Sequence, residues 1–439
     1  MREMKDCGVS WLGMIPKGWN VHRIKTLFSE RIELSDTGNE TLLSVSEYYG
    51  VDSRSSHINE DEYLSRSESL IGYKKCYPGD IVSNIMLAWK GSLGVARQPG
   101  IVSPAYCVYK PVRDMFPIYY HYLFRTSLYR WQFKCYSKGI IDSRLRLYSP
   151  FFFDIPALIP PVSVQQSIGS FLDARCADID SIIEKTRASL DEYKKMKYTV
   201  ISEAVTKGIR KERPMKDSNV EWIGCIPEEW AILPIKQLFL RRSQKNQPIV
   251  STDRLSLSID VGITKYEEKT TNLDRFKDDF SQYQLAYPDD IVLNSMNMIV
   301  GAVGRSAYFG CVSPVYYVIY PRQTVDVQYW SYLLNCTRIR DVYHSLGQGI
   351  YAIERGEGRV NTCRLKVPYD DFERILVPIP SLEEQKEIAS YLDDKCKAID
   401  SLIASKDSLI CELESYKNSI IYEYVTGKKE IPVQEGGMA

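Results

Sequence analysis

Net charge is the first thing that this sequence of 439 residues lacks, because 56 lysines and arginines balance 56 aspartates and glutamates. A nucleic-acid surface would therefore have to be a local patch rather than a property of the whole chain. No stretch approaches the length of apolar run that crosses a membrane, and the N-terminus carries no apolar or cleavage-type segment. We therefore expect no membrane span and no secretory signal, and we predict a cytoplasmic protein.

Cysteine pairs and metal-ligand spacings are also missing. The eleven cysteines form no C-x-x-C motif, which favours free thiols in a reducing compartment and argues against a cysteine-only zinc site. The four histidines stand far apart, and the sequence contains neither a phosphate-binding P-loop nor the Asn/Asp-Pro-Pro-aromatic motif of amino-methyltransferases. We predict no catalytic residue, no metal site and no cofactor site in this chain.

What the sequence does have is a duplicated stretch, 162–208, which recurs as 382–428 at an offset of 220. Each copy follows a proline-containing run that sets a sharp start, and its apolar residues alternate between steps of three and four, the spacing of a coiled-coil seam. We predict two long helices, each about 65 Å long at 1.5 Å per residue. The predicted seam residues are Leu172, Ile179, Ile182, Leu190, Tyr193, Met196 and Val200 in the first copy and Ile388, Leu392, Ile399, Leu402, Leu409, Leu413, Tyr416, Ile420 and Tyr424 in the second.

The segments that precede these helices are duplicated as well. Residues 6–28 and 217–239 share eleven of twenty-three positions, and matched turn-and-strand pieces follow at an offset of 210. Between the matched pieces the halves diverge, and 140–153 shares almost nothing with 350–373. We therefore predict two mixed α/β globules, which are alike in scaffold and unlike in surface.

Basic and aromatic residues are interleaved from Arg125 to Arg146, where six cations accompany one acid. The equivalent stretch, Arg338–Lys366, has six cations and three acids. A charge run is usually only a solvated face, but its recurrence at one relative position favours DNA binding, since arginine and lysine neutralise phosphates and read base edges. The predicted phosphate contacts are Arg125, Arg130, Lys134, Arg338 and Arg340. The other predicted DNA-binding residues are Lys90, Lys138, Arg144, Arg146, Asn297, Arg355 and Arg359.

Two motifs connect this organisation to a known family. The motif W-[LI]-G-x-I-P-x-x-W heads each globule, at Trp11–Trp19 and Trp222–Trp230, and P-x-x-x-Q-x-x-I-x-x-[FY]-L-D leads the first helix at Pro161–Asp173. The second helix keeps Gln385 of this pattern but has Ser381 in place of the proline. With these motifs, the order of globule, helix, globule and helix resembles the DNA-specificity subunit of type I restriction–modification enzymes over essentially the whole chain.

The resemblance implies an α+β fold in which two target-recognition domains are separated by two long helices packed as an antiparallel coiled coil, with an internal pseudo-two-fold repeat. It implies that each domain reads one half of a split target in double-stranded DNA. The predicted limits are 1–158 and 217–378 for the domains, 159–208 and 379–428 for the helices, 209–216 for a linker and 429–439 for a tail.

The same resemblance implies partners that carry out the chemistry. Two modification subunits would dock on the helices, bind S-adenosylmethionine and methylate adenine, while a restriction subunit would use ATP and magnesium to translocate and cut DNA. The length of the helices would set the gap between the half-sites. Two alternatives remain open at this point, namely a stand-alone DNA nuclease or methyltransferase, and a coiled-coil adaptor that does not bind DNA.

Overall fold

The computed structural model describes residues 3–54, 69–259, 262–269, 279–350, 354–355, 359–360 and 364–432. The chain divides into two compact units, of which the first combines 1–187 with 408–439 and the second is 188–407. Each unit therefore contains one globule together with one half of each long helix. The apolar faces of the helices pack into the units in which they lie, as Ala204, Ile388 and Leu392 do in the core of the second.

In the described residues of the first unit, short strands and three short helices precede the first long helix. Its strands are β1 Met4–Asp6, β2 Met14–Pro16, β3 Asn20–Arg23, β4 Phe28–Glu30, β5 Leu43–Ser46, β6 Gly50–Ser53, β7 Lys74–Cys76, β8 Ile81–Asn84, β9 Leu93–Val95, β10 Gly100–Val102, β11 Tyr106–Pro111 and β12 Pro156–Ile159. Its helices are α1 Pro117–Arg125, α2 Ser127–Tyr136, α3 Ser149–Asp154 and α4 Val162–Lys207, which continues into the second unit. Single 3-10 turns occupy Ile24–Thr26, Ala88–Lys90 and Asp142–Arg144.

The second unit repeats this order of elements. Its strands are β13 Met215–Asp217, β14 Cys225–Pro227, β15 Ala231–Pro234, β16 Phe239–Arg241, β17 Leu255–Ser258, β18 Gly262–Lys265, β19 Gln284–Ala286, β20 Ile291–Asn294, β21 Val303–Arg305, β22 Gly310–Val312, β23 Tyr316–Pro321, β24 Gln348–Ile350, β25 Glu354–Arg355, β26 Arg359–Val360, β27 Arg364–Lys366 and β28 Leu376–Ile379. Its helices are α5 Ile235–Leu238, α6 Tyr266–Lys269, α7 Val327–Leu333, α8 Thr337–Leu346, α9 Tyr369–Phe372 and α10 Leu382–Val425, which continues into the first unit. Single 3-10 turns occupy Phe280–Gln282 and Met298–Val300.

A four-stranded antiparallel sheet forms the framework of each unit, in the order β4-β11-β8-β9 in the first and β16-β23-β20-β21 in the second. In the central pair, Val108 faces Val82 in the first unit and Val318 faces Val292 in the second. All four valines are fully buried. The repeat seen in the sequence is therefore a repeat of register and of core, because equivalent residues occupy equivalent positions in the two sheets.

The motif residues join each globule to its long helix. The Gln165 side chain accepts a hydrogen bond from the backbone N–H of Phe116 and donates one to the carbonyl of Pro160, and Gln385 makes the equivalent pair with Asp326 and Pro380. Both glutamines are buried. Their amides thus satisfy backbone groups that burial would otherwise leave unpaired. Trp19 and Trp230 of the entry motif are buried as well, as expected for a structural turn.

The two long helices pack antiparallel within each unit. In the first unit the rings of Phe171 and Tyr424 lie 4.7 Å apart, and Asp180 pairs with Lys417 at 2.6 Å. In the second unit Lys197 pairs with Asp400 at 2.6 Å. Partner numbers fall along α10 as they rise along α4, which defines an antiparallel pair. The predicted fold class, a mixed α/β protein with two paired long helices, is confirmed.

Some of the residues buried between the two helices are the sequence neighbours of the predicted seam residues, not the predicted residues themselves. The buried residues of α4 follow the steps of four and three through Leu172, Cys176, Ile179, Ile183, Thr186 and Leu190. The predicted members Ile182 and Met196 on α4, and Leu402, Leu409 and Tyr416 on α10, are exposed instead. At Ile182 and Ile183, and again at Leu409 and Ile410, two apolar residues are adjacent in sequence, and only the helix pairing decides which of them is buried. The less apolar Thr186 is also in the seam.

The units differ in length at the loop that follows α2 and α8. In the first unit Lys138 and Arg146 close this loop through an isolated bridge, and in the second β24 and β27 pair Gln348 with Lys366. The offset between equivalent residues is 210 at the start of the loop and 220 at its end. Ten additional residues in the second loop therefore account for the change of offset between the globules and the helices.

Candidate nucleic-acid interface

In the first unit, helix α2 and the Ala88–Lys90 turn bring basic side chains to one tryptophan. The ammonium group of Lys134 lies 4.9 Å from the centroid of the Trp89 ring, and that of Lys90 lies 5.4 Å from it. Trp89 is fixed in turn, since its indole N–H donates to the carbonyl of Met86 at 3.1 Å. Cations above an aromatic face are attracted to its quadrupole, so the Trp89 ring favours the placement of both ammonium groups beside it.

The loop after α2 adds further cations beside this cluster. Lys134 also forms an ion pair with Asp142 at 2.8 Å, which ties the loop to the helix. The Lys138 ammonium lies 4.5 Å from the centroid of the Phe151 ring. Arg144 is exposed at the end of the Asp142–Arg144 turn, and Arg146 donates to the carbonyl of its neighbour Leu145. We call the set Lys90, Arg130, Lys134, Lys138, Arg144 and Arg146 the basic surface of the first unit.

Arg130 lies over Gly91, where the backbone conformation favours glycine. Gly91 has a φ of +102°, and a Cβ added there would come within 3.4 Å of the Arg130 Cδ. The equivalent pair in the second unit is closer still, because a Cβ on Gly301 would meet the guanidinium of Arg340. The glycine after each 3-10 turn thus leaves room for an arginine from the following helix.

Arg125, predicted to contact phosphate, has its guanidinium committed to the protein. The two terminal nitrogens lie 2.7–3.2 Å from five backbone carbonyl oxygens, those of Ser46, Glu47, Tyr48, Gly91 and Leu93. Burial, together with the nearby charge of Arg130, lowers the pKa of Arg125 to about 10. An arginine whose donors are used in this way supports the fold of the β5–β6 hairpin, and we do not include it in the basic surface.

The predicted residues of the second unit are less closely grouped. Arg338 donates to the carbonyl of Ile223, and Arg340 donates to the side chain of Asn335 and lies 5.5 Å from the ring of Tyr198. Asn297 is exposed immediately before the Met298–Val300 turn. Arg355 and Arg359 are register partners in the β25–β26 hairpin, and their side chains lie outside the part of the chain that the structure describes.

The structure also contains a groove that the sequence did not indicate. In the second unit a cavity of about 770 Å³ is lined by residues that include Lys194, Lys197, Arg305, Arg340, Asp400 and Asp407. Ser331 and Asn335 also line this cavity. Their equivalents in the first unit, at an offset of 210, are the larger residues His121 and Arg125. No spacing or motif marks these residues, because they come from α4, β21, α8 and α10 and meet only in the folded unit.

His121 is an interior group rather than a ligand. Its Nδ1 accepts a hydrogen bond from the backbone N–H of Val95 at 3.3 Å, and its ring packs against Gly50 and Gly94. Burial, reinforced by the charges of Arg125 and Arg97, holds the pKa of His121 well below its ordinary value of 6.5. Among the described residues, no group of three histidine, cysteine, aspartate or glutamate side chains is placed to hold a metal ion. No helix in that part of the chain is long and apolar enough to cross a membrane.

Comparison with known proteins places this architecture in one class. No family model matches the chain. Two proteins of Methanocaldococcus jannaschii are similar to it in sequence. The type I restriction enzyme MjaVIII specificity subunit is 23% identical over 366 residues, covering 79% of each chain. The putative type I restriction enzyme MjaX specificity subunit is 25% identical over 315 residues, covering 71% of this chain and 68% of the relative.

Solved structures agree in fold. A chain from a structure of complex assembly and conformational transition in the type I R-M system aligns with a TM-score of 0.66 at 14% identity, covering 94% of this chain and 99% of that one. The HsdS subunit from Thermoanaerobacter tengcongensis aligns with a TM-score of 0.50 at 14% identity, covering 94% and 98%. The duplicated α/β unit with paired long helices is thus the fold of a known class of subunit. In sequence and in fold the chain matches the type I restriction enzyme specificity subunits, and the resemblance predicted from its repeated motifs is confirmed.

Proposed function

We propose that this chain is the DNA sequence-specificity subunit of a type I restriction–modification complex in the cytoplasm. Its target-recognition domains, 1–158 and 217–378, each read one half of a bipartite target in double-stranded DNA. Its spacer helices set the gap between the half-sites and dock two methyltransferase subunits. The chemistry belongs to the partners, with S-adenosylmethionine in the methyltransferase subunits and ATP with magnesium in the restriction subunits.

One observation carries this proposal, namely that a single scaffold occurs twice with unlike loops at the same position. The sheets, the entry motif and the buried glutamines are equivalent in the two units, while the loops after α2 and α8 differ in length by ten residues and diverge in sequence between their two ends. Two similar frameworks that present different surfaces are suited to reading two different half-sequences. A scaffold that only held partners together would gain nothing from such a difference.

In the first unit the basic surface supplies the two kinds of contact that DNA recognition needs. We assign phosphate contacts to Lys90, Arg130 and Lys134, which lie on the framework, since such contacts fix register without reading sequence. Arg144 and Arg146 lie in the loop that differs between the units, and we assign them to base edges, with Lys138 beside them. In the second unit we propose the equivalent roles for Arg338, Arg340, Asn297, Arg355 and Arg359.

Exposed apolar residues on the long helices support the docking of two equivalent partners. Ile182 and Leu402 stand at equivalent positions of the repeat, as do Met196 and Tyr416, and all four are exposed. The antiparallel register puts Ile182 level with Tyr416 in the first unit and Met196 level with Leu402 in the second. Apolar side chains left in water at repeated positions mark interaction sites. Two copies of one methyltransferase subunit, one for each unit, would cover both sites.

The test is methylation mapping in cells that express this chain together with its methyltransferase partner. We expect methylated adenines in both halves of one bipartite sequence, and no methylation when either protein is omitted. Purified chain incubated alone with magnesium or with S-adenosylmethionine should neither cut nor methylate DNA, and either activity would point to a stand-alone enzyme. A complex that shows no salt-dependent retention of duplex DNA would instead identify an adaptor.

A further inference from the structure

Two isoleucines stand in solvent at the tip of the loop that follows α2. Ile140 is fully exposed, at 101% of its reference surface, and Ile141 is 52% exposed. Leu145 and Leu147 of the same loop are buried at 8% and 1%. A single exposed apolar side chain is ordinary, but here the loop buries its leucines and presents two adjacent β-branched side chains outward.

The backbone holds this tip in place. Lys138 and Arg146 exchange two backbone hydrogen bonds of 2.9 Å across the base of the loop. Gly139 has a φ of +151°, and a Cβ at that position would lie 2.6 Å from the carbonyl oxygen of Arg144. The loop therefore closes tightly just before Ile140, and only glycine allows this closure. The N–H of Leu147 donates to the carbonyl of Ile85, which fixes the far end to the framework.

The basic side chains around Ile140 and Ile141 favour an anionic binding partner. Lys138, Arg144 and Arg146 belong to the loop itself, and Lys134 is tied to it through Asp142. A protein surface that presented apolar side chains to this loop would have to neutralise these cations, whereas the phosphates of a DNA duplex do so directly. On the base edges of a duplex, the apolar group offered in the major groove is the C5-methyl group of thymine.

We infer that Ile140, supported by Ile141, contacts the 5-methyl group of a thymine in the half-site read by the first unit, and so determines specificity at that base. The inference rests on the proposed function. The basic residues around the tip bring it to the groove, and the aliphatic side chain distinguishes thymine from a base that lacks the methyl group. Arginine and lysine cannot make that distinction by apolar contact, so the isoleucine adds information that the cations do not supply.

The second unit repeats the backbone of this arrangement. Gly349 and Ile350 stand 210 positions after Gly139 and Ile140, and Gly349 has a φ of +149°. These two residues are identical in the two copies, whereas Ile141, Asp142 and Ser143 have unlike counterparts. At the end of the loop Arg144 and Leu145 recur as Arg364 and Leu365 at an offset of 220. Ile140 is exposed and packs against no core, so the recurrence of the Gly-Ile pair in the sequence supports a role for the residue at the tip.

The experiment uses the complex of this chain with its methyltransferase subunits and a duplex that carries the mapped target. Each thymine of the half-sites is replaced in turn by deoxyuridine, which removes only the methyl group. We expect one replacement in the half-site read by the first unit to weaken binding about 3- to 10-fold, as burial of a single methyl group implies. The Ile140→Ala variant should bind the unmodified duplex more weakly by a similar factor and should not respond to that replacement.

Ile32→Ala is the matched control, because Ile32 is an exposed isoleucine of the same unit outside the basic surface. It should bind as wild type does and should respond fully to the thymine replacement. The inference is overturned if no thymine replacement weakens binding, or if Ile140→Ala still responds to it. A strong rise in 2-aminopurine fluorescence at a half-site base step, abolished in Ile140→Ala, would also overturn it, because it would identify Ile140 as an unstacking wedge. Specific binding to a bipartite target combined with any of these results would leave the proposed function intact, whereas the absence of such a target would refute both.

Discussion

Lys417 Nζ lies 2.6 Å from both carboxylate oxygens of Asp180, and the same pairing recurs where Lys197 lies 2.7 and 2.6 Å from the oxygens of Asp400. The roles of the helices are exchanged between the two pairs. Helix α4 supplies the carboxylate in the first unit and the lysine in the second. This exchange is what antiparallel pairing of two like helices produces, and it makes each ion pair an internal control for the other.

Reversal of one charge should weaken the helix pair in one unit. Asp180→Lys places two cations together, and we expect the free energy of unfolding to fall by at most about 1 kcal/mol, because the carboxylate is more than half exposed and is screened by solvent. Adding Lys417→Asp to the same chain should restore most of the loss. A double-mutant cycle by thermal unfolding at low and high salt measures the coupling, and Asp400→Lys with Lys197→Asp is the matched set. Failure of the second change to rescue the first would show that the pair does not stabilise the helices.

Lengthening both long helices together should change the target. Seven residues inserted after Lys185, with seven more after Glu412 at about the same level of α10, add two helical turns, or about 10 Å, to the pair. The gap between the half-sites should then grow by about three base pairs, since ten base pairs span about 34 Å. Both half-sequences should persist, because neither loop has changed. Methylation mapping gives the answer, and an unchanged gap would contradict the spacer role.

Loss of one loop arginine should relax one half-site. Arg144→Ala removes an exposed guanidinium from the loop that differs between the units, and we expect discrimination at one position to fall by about 1–3 kcal/mol with the other half-site unaffected. Lys110→Ala, which removes an exposed lysine of strand β11, should leave both half-sites unchanged. Competition binding with single-base substitutions measures the effect. If Arg144→Ala instead weakens binding to every sequence equally, the residue is a phosphate contact.

Arg125 and Arg130 should separate stability from DNA binding. Arg125→Ala leaves five backbone carbonyls without their donor, so we expect a loss of about 2–4 kcal/mol in the free energy of unfolding. Arg130→Ala should leave stability nearly unchanged and reduce the salt dependence of DNA binding by about one phosphate contact. Thermal unfolding and titrations at several salt concentrations distinguish the two. If Arg125→Ala instead reduced the salt dependence of DNA binding and left stability unchanged, Arg125 would be a phosphate contact.

His121, half-buried beside Val95, should make the first unit sensitive to acid. Because its folded pKa lies below the ordinary value of 6.5, the unfolded chain binds a proton more readily, and stability is lost as the pH falls below about 6.5. Above that pH the imidazole is neutral in both the folded and the unfolded chain, and its titration no longer lowers the free energy of unfolding. His121→Ser, which introduces the residue of the second unit, should flatten the difference in melting temperature between pH 7.5 and pH 5.5. An equal acid sensitivity in the variant would assign the effect to other groups.

The sequence alone determined the plan of this protein. Constant offsets, repeated motifs and two helix-length apolar patterns are properties of the chain order, and they predicted two like globules and two paired helices before any contact was known. Local chemistry predicted the positions of the basic stretches, because charge is read directly from residue type. The seam was only partly predictable, since positions such as Thr186 belong to it by geometry rather than by hydrophobicity.

Tertiary structure decided which of the basic side chains are free to contact DNA and which are used in hydrogen bonds within the protein. Arg125 and Arg130 are five residues apart and chemically alike. Backbone carbonyls of the β5–β6 hairpin and of Gly91 and Leu93 accept the hydrogen bonds of Arg125, whereas Arg130 is exposed over Gly91. The burial of Leu145 and Leu147 and the exposure of Ile140 were likewise fixed by a glycine closure and a bridge between Lys138 and Arg146. Such outcomes depend on backbone groups brought together from distant parts of the chain, and residue type does not encode where those groups will be.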